Sequence, residues 1–286
     1  MVQSDSNSNL SASEAGVGSA PEDEPLTVEQ AIANLQGNHL GLRVYAAWWL
    51  GRFRVAEPLA ITTLIRALAD EDDRTSAGGY PLRRNAARAL GKLGDRRAVP
   101  PLIDCLTCSD FYVREAAAQS LGMLGDSSCV PALIELLQTP GSENPANAAL
   151  LAQPYDAILE ALGALQAREA IAVVEPFLEH PAERVQYAAA RAMYQLADSP
   201  EVARIYGDRL VAALSHSNLQ LRRTVLMDLG AIAYLPAAEP IANALAENSL
   251  KLIALKGILE QHIAPTEPIT LSEDAIAVMG LMDTLL

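Results

Sequence analysis

Apolar residues recur at helical spacing in paired stretches along most of this chain, and the pattern is clearest between Leu82 and Leu137. LRRNAARALGKLGDRRAVPPLIDCL is followed by the connector TCSDFY and then by VREAAAQSLGMLGDSSCVPALIELL. Laid over each other, the halves match at a spacing of 31 residues, with Arg83 on Arg114, Gly91 on Gly122 and Asp95 on Asp126. Each unit carries an apolar stripe at helical spacing, a Gly-Asp turn and a second amphipathic helix. Self-similarity at a period in the thirties is the signature of a solenoid, in which each hairpin buries its apolar face on its neighbours.

The same phrase returns as LRVYAAWWLGRF (Leu42 to Phe53), PYDAILEALGAL (Pro154 to Leu165), VQYAAARAMYQL (Val185 to Leu196) and LRRTVLMDLGAI (Leu221 to Ile232), with a truncated LKLIALKGILE (Leu250 to Glu260). The expected fold is therefore all-α, a right-handed α-solenoid of HEAT-like or armadillo-like helical-hairpin repeats. Residues 26–262 are assigned to about six to seven repeats. Order is expected to begin near Thr27, where TVEQ has the form of a capping box. Residues 1–25, rich in Ser, Asn, Gly and acid and without Lys or Arg, are expected to be a disordered tail, lacking the charge pattern of a signal or transit peptide. Residues 263–286 are expected to form a linker and one short C-terminal helix. Two spacings are stretched, by DEDDRTSAGGYP (Asp70 to Pro81) and by TPGSENPANAALLAQP (Thr139 to Pro154). Their Gly, Pro and polar content predicts loops leaving the solenoid, and such insertions gather on one face, often the binding face.

In VREAAAQSLG the apolar positions Val113, Ala117, Leu121 and Leu124 must face inward, leaving Arg114, Glu115, Ala118 and Gln119 for other surfaces. In HEAT-type arrays this helix lines the concave face. At the Gln119 position the repeats carry Trp48, Arg88, Gln119, Glu160, Arg191 and Met227. At the Glu115 position they carry Val44, Arg84, Glu115, Asp156, Tyr187 and Arg223. The predicted concave face mixes aromatics, cations and carboxylates. The column Arg43, Arg83, Arg114 and Arg222 reads differently, as a structural ladder pairing with acids or amides of the preceding turn, Asp110 and Asn218 among them. Gly91, Gly122, Gly163 and Gly230 read as close-packing or helix-ending glycines. Of the adjacent pair Trp48 and Trp49, one must face away from the other.

Composition narrows the chemistry. Half of the 286 residues are hydrophobic but only 5% aromatic, and the formal net charge is -14. An acidic chain is a poor partner for nucleic acid, whereas an anionic small molecule needs only local positive charge. No apolar run is long enough to span a bilayer. Cys105, Cys108 and Cys129 form no disulfide framework, so a reducing compartment is expected, and the lone CxxC lacks the second pair of a zinc site. The histidines form no i, i+4 pair, and no Gly-rich phosphate cradle or nucleophile elbow is present. DEDDR lacks the spaced ligands of a calcium loop and reads as a solvated acidic loop. From pattern alone the chain is a binding scaffold.

YAAWWLGRFRV (Tyr45 to Val55), DEDDRTSAGGYPLRRNAARALGKLGD (Asp70 to Asp95), CSDFYVREAAAQSLGMLGD (Cys108 to Asp126) and HPAERVQYAAARAMYQL (His180 to Leu196) closely resemble the E-type subunits of the heterodimeric E/F phycobilin lyases, over roughly Leu26 to Glu260. The insertion with its flanks is the specific part, because VREAAAxxLG alone occurs in many helical arrays. The resemblance implies an enzyme of the carbon-sulfur lyase type, active with an F-type partner in the cyanobacterial cytoplasm. Such an enzyme attaches phycocyanobilin, as substrate and without a tightly bound cofactor, by a thioether to a cysteine of the apo-phycocyanin alpha subunit. A non-catalytic scaffold or chaperone subunit, or a lyase or isomerase for another bilin, are the alternatives. Under the lyase reading Arg84, Arg88, Arg191 and Arg223 are candidates to hold the bilin propionates, and Trp48 and Tyr187 to stack on it. Asp72, Asp73 and Tyr80 on the first insertion are the candidate catalytic groups, reaching over the cavity to the pyrrole nitrogens.

Overall fold

The computed structural model describes residues 26–139, 153–263 and 271–286; the expected tail, most of the second insertion and the linker lie outside the described residues. Two rows of helices alternate along the chain. The inner row comprises α2 (Leu40–Arg52), α4 (Pro81–Leu93), α6 (Phe111–Leu124), α8 (Tyr155–Ala164), α10 (Glu183–Leu196), α12 (Leu219–Ala231) and α14 (Asn248–His262). The outer row comprises α1 (Val28–Gln36), α3 (Pro58–Ala67), α5 (Val99–Cys105), α7 (Val130–Gln138), α9 (Ile171–Val174), α11 (Pro200–Ala213), α13 (Ala238–Asn243) and α15 (Glu273–Asp283). The capping box at the start of α1 is formed: the Gln30 N–H donates to Thr27 Oγ1 at 3.2 Å and the Thr27 N–H to Gln30 Oε1 at 2.9 Å.

The Gly-Asp turns divide the work between their two residues. Gly94 and Gly125 end α4 and α6 in the left-handed region, at φ 75° and 66°, where a side chain is costly. Asp95 and Asp126 then accept the N–H of Arg97 and Ser128 at 2.9 and 3.0 Å, starting the 3-10 turns that lead into the outer helices. The other repeat glycines serve contact. A Cβ on Gly91 would stand 2.6 Å from the Ser120 side chain, and one on Gly230 would stand 2.6 Å from the Ala254 backbone, both on the next inner helix. The inner helices thus pack almost backbone to backbone. For the same reason Ala118, expected on a free face, is fully buried.

Val113, Ala117, Leu121 and Leu124 are buried as their spacing requires. The core is not continuous, however. It divides into two clusters, with α1 to α9 in the first, α11 to α15 in the second, and α10 contributing residues to both. α10 packs on α8 and α11, whereas α12 packs mainly on α14, so the inner row is interrupted between α10 and α12.

The arginine column is the structural ladder its position predicts, with different partners. Arg114 donates to the Cys108 carbonyl at 2.6 Å and Arg222 to the His216 carbonyl at 2.6 Å. Arg43 pairs with Asp70, Arg83 with Glu71, and Arg222 also reaches the Leu245 carbonyl at 3.1 Å, each bond tying one repeat to its neighbour. Asp110 and Asn218 are not the partners. Both cap helix N-termini instead, Asp110 accepting from Tyr112 at 2.8 Å and Asn218 from Gln220 at 2.9 Å, because exposed helical N–H groups lie nearer than the guanidinium. Among the described residues no helix is long and apolar enough to cross a membrane.

Candidate functional site

The inner row presents polar side chains in a band from α2 to α12. At its first end Trp48 is 46% exposed and stacks tilted on the exposed Tyr45, ring centroids 5.5 Å apart. Trp49 turns the other way, packing on the core and on Phe53 at 4.8 Å. An exposed aromatic pair beside an ordinary core tryptophan is what adjacent positions on one helix require.

The four candidate propionate-binding arginines are not equivalent. Arg84 keeps its buried Nε without a hydrogen-bond partner, and its guanidinium lies 5.8 Å from the ring centre of the exposed Tyr112. Arg88 is largely exposed and only loosely paired with Glu115, at 3.4 Å. Arg223 is committed to Glu247, its Nε donating at 3.0 Å. Arg191 is held between two carboxylates, 2.7 Å from Asp228 and 3.5 Å from Glu160. Tyr187 is half-buried against the second core cluster with its edge to His216, centroids 6.5 Å apart.

Arg191 lies where the band meets the interruption between α10 and α12. Asp228 projects from α12 into the interruption, so its pairing with Arg191 of α10 bridges the two core clusters. Asp228 is almost wholly buried, and that burial raises its carboxyl above the usual range against the pull of Arg191. Glu160 on α8 is pushed up to about 7, by burial first and then by the negative charges of Asp228, Asp156 and Glu115. Glu115 is raised by burial as well. Carboxylates crowded in a half-dry groove hold protons that solvated ones would lose. Glu160 and Arg191 line a cleft of about 340 Å³ together with Gln119, Met123 and the small residues Gly122, Ala157, Ala161 and Ala164.

The first insertion behaves as a fastened loop. Asp73 is buried and accepts the backbone N–H of Leu82 in the first turn of α4, a donor that no residue of the helix itself can satisfy. Tyr80 is buried, donates its hydroxyl to Glu71 at 2.9 Å and lies under the Arg83 guanidinium at 4.2 Å, while its N–H goes to Asp110 at 2.7 Å. Tyr80 and Arg83 line a different cleft, of about 450 Å³, with residues of α3 and α5. Of the three loop candidates only Asp72 is exposed. Their contacts run to Asp70, Glu71, Leu82, Arg83 and Asp110 at the turn edge of the solenoid, away from Arg84, Arg88 and Arg191. Asp73→Ala is accordingly expected to lower stability by about 1–2 kcal/mol through the lost cap, read as a shift in the urea midpoint.

Sequence columns pick out Glu160 by position, but not Asp228, which falls one residue beyond Met227. An acid inside the apolar run TVLMDLGAI was the available signal. Tyr45 and Tyr112, the aromatic neighbours of Trp48 and Arg84, were likewise missed. Among the cysteines, Cys105 is buried in the core and pushed up to about 12 by that burial.

Comparison with known proteins agrees with this architecture. The PBS lyase HEAT-like repeat family matches residues 42–70 and the HEAT repeat family matches residues 79–152. The phycocyanobilin lyase subunit alpha of Microchaete diplosiphon is 68% identical over 93% of this chain and 91% of its own length. That of Pseudanabaena tenuis is 68% identical over 93% of this chain and 97% of its own. A chain in the solved structure of the complex of CpcE and CpcF of phycocyanin lyase from Nostoc sp. PCC7120 superposes with a TM-score of 0.83 at 59% identity, covering 95% of this chain and 99% of that one. With this identity sustained along nearly its whole length, the chain belongs to the family of phycocyanobilin lyase alpha subunits.

Proposed function

We propose that this chain is the E-type subunit of a heterodimeric lyase that joins phycocyanobilin by a thioether to a cysteine of the phycocyanin alpha subunit during phycobilisome assembly. The observation that carries the reading is the near full-length identity to lyase alpha subunits, joined to a fold that superposes on a chain of the CpcE–CpcF complex. It acts with an F-type partner, takes phycocyanobilin as substrate rather than as resident cofactor, and works on apo-phycocyanin alpha in the cyanobacterial cytoplasm.

The groove suits that substrate. A linear tetrapyrrole is flat, apolar along its edges, anionic at two propionates and rich in nitrogen. Small residues in the central cleft let a planar ring approach the backbone closely. The Tyr45–Trp48 pair supplies a stacking surface, and Arg84 and Arg88 supply cations. Attack of a thiol on the ring A ethylidene needs little chemical help, so positioning the two reactants and shielding the wrong face account for much of the work.

The test is co-production of this chain, the F-type partner, a phycocyanobilin source and apo-phycocyanin alpha. Covalent, acid-stable bilin on the alpha chain is expected only when both lyase subunits are present. Absence of such bilin in every combination overturns the reading, and full attachment by the partner alone assigns this chain to a scaffold role.

A further inference from the structure

We propose that Glu160 is a catalytic acid–base residue of bilin attachment, giving a proton to a pyrrole nitrogen of the substrate, and that Arg191 and Asp228 are the positioning residues that hold it there. The proposal rests on the lyase reading above and names the proton carrier that reading lacks.

Four observations converge on this site. Glu160 lines the central cleft, whose other walls are small or apolar apart from Gln119 and Arg191. Its side chain remains 31% exposed, so it can meet a ligand lying in the cleft. The Arg191 guanidinium contacts Glu160 at 3.5 Å and Asp228 at 2.7 Å, fixing the carboxyl from a neighbouring helix. Finally, the buried Nε of Arg191, Oδ2 of Asp228 and Oδ1 of Asp156 have no hydrogen-bond partner. Such orphaned polar atoms are rare in a folded chain unless a ligand or another group satisfies them.

The groups that face Glu160 set its charge. Arg191 of α10 favours the carboxylate, while Asp228 of α12, Asp156 of its own helix and Glu115 of α6 oppose it, and burial opposes it most. Glu160 therefore exchanges its proton near neutrality, the range in which one group serves efficiently as both acid and base. For folding, a raised carboxyl means that the native state binds more protons than the unfolded chain. The associated stability is present at low pH and is lost as pH climbs from the ordinary carboxylate range through about 7.

The bond changes balance without an oxidant or reductant. Glu160 gives its proton to the tetrapyrrole, which becomes a cation and draws electrons from the exocyclic carbon of ring A. The acceptor sulfur bonds to that carbon, and the electron pair of the exocyclic double bond passes into the protonated chromophore and neutralises it. The delivered proton then leaves the nitrogen for the adjacent ring carbon, a C–H bond forming as the N–H bond breaks. The thiol proton returns to Glu160. The net change is addition of S–H across one C=C bond.

The experiment uses the purified heterodimer with phycocyanobilin, followed by absorbance across pH, because a protonated linear tetrapyrrole absorbs further to the red. Glu160→Gln is expected to leave the bilin bound and the melting temperature little changed, but to lower the pKa of the bound bilin by about one unit, a tenfold loss of proton affinity. Attachment to apo-phycocyanin alpha at neutral pH is expected to slow by about 100-fold, with Glu160→Asp recovering part of both effects. An unmoved bilin titration together with an unmoved attachment rate overturns the proposal. So does loss of binding in both variants at unchanged melting temperature, which reduces Glu160 to a binding contact. If the unaltered heterodimer itself neither binds nor attaches bilin, the fault lies with the lyase reading.

Discussion

Replacing Arg191 by alanine is expected to destabilise the chain by about 3–5 kcal/mol, the cost of leaving a buried carboxylate without its partner. Asp228 is 4% exposed, and Arg191 donates a hydrogen bond to it at 2.7 Å across the interruption between α10 and α12. Without the guanidinium Asp228 must either stay charged in a dry place or take up a proton. The deficit should be smaller in mild acid and larger above neutral pH, because burial already holds Asp228 toward its neutral form. Urea unfolding at two pH values measures this. The double variant Arg191→Leu, Asp228→Leu is expected to restore most of the stability, since paired apolar residues often replace a buried ion pair without loss. It should not restore attachment, because Glu160 then lacks the group that orients it. Restored attachment in the double variant would mean that the ion pair serves folding alone.

The second large effect concerns substrate affinity. Arg84→Ala is expected to weaken phycocyanobilin binding to the heterodimer by about 10- to 100-fold, from loss of one charge-assisted contact of about 1.5–3 kcal/mol. Arg84 is singled out because its buried Nε lacks a hydrogen-bond partner while Arg223 is committed to Glu247. Arg88→Ala should cost less, since a largely exposed cation loosely paired with Glu115 is already solvated. The loss should shrink as salt is raised, whereas the contribution of Trp48 should persist, because screening acts on charge and not on stacking. Fluorescence or absorbance titration of the complex at two ionic strengths separates the two. Unchanged affinity in Arg84→Ala removes this residue from the propionate site.

The repeats themselves were legible for a simple reason. Each hairpin repeats the same burial problem, so the positions of Ala117 and Leu121 return buried as Ala46 and Leu50, Ala86 and Leu90, and Ile158 and Leu162, and the period exposes them. The caps were equally local: Thr27 with Gln30, and Asp95 and Asp126 after their left-handed glycines, depend on residues within a few positions. The ladder partners of Arg114 and Arg222 were not. Asp110 and Asn218 are the acid and amide of the preceding turns, but they cap the helix N-termini instead. The partners of the first insertion were equally hidden. Its acids looked available in the sequence, yet Asp73 is consumed by the first turn of α4 and Tyr80 by Glu71.

The sequence by itself determined the solenoid, the inner and outer rows, and two columns on one predicted surface, one with Trp48, Arg88, Glu160 and Arg191 and the other with Arg84. These follow from helical periodicity and from caps a few residues long, which are properties of neighbouring residues. The tertiary structure alone decided which of those groups are available and which are spent. Arg191 is distinguished from Arg84 by Asp228, 37 residues away on a helix that does not follow the regular stacking, and Glu160 owes its proton first to burial and then to the charges of Asp228 on α12, Asp156 on its own helix and Glu115 on α6. Burial and Coulomb interactions act through space, so no window of sequence contains them.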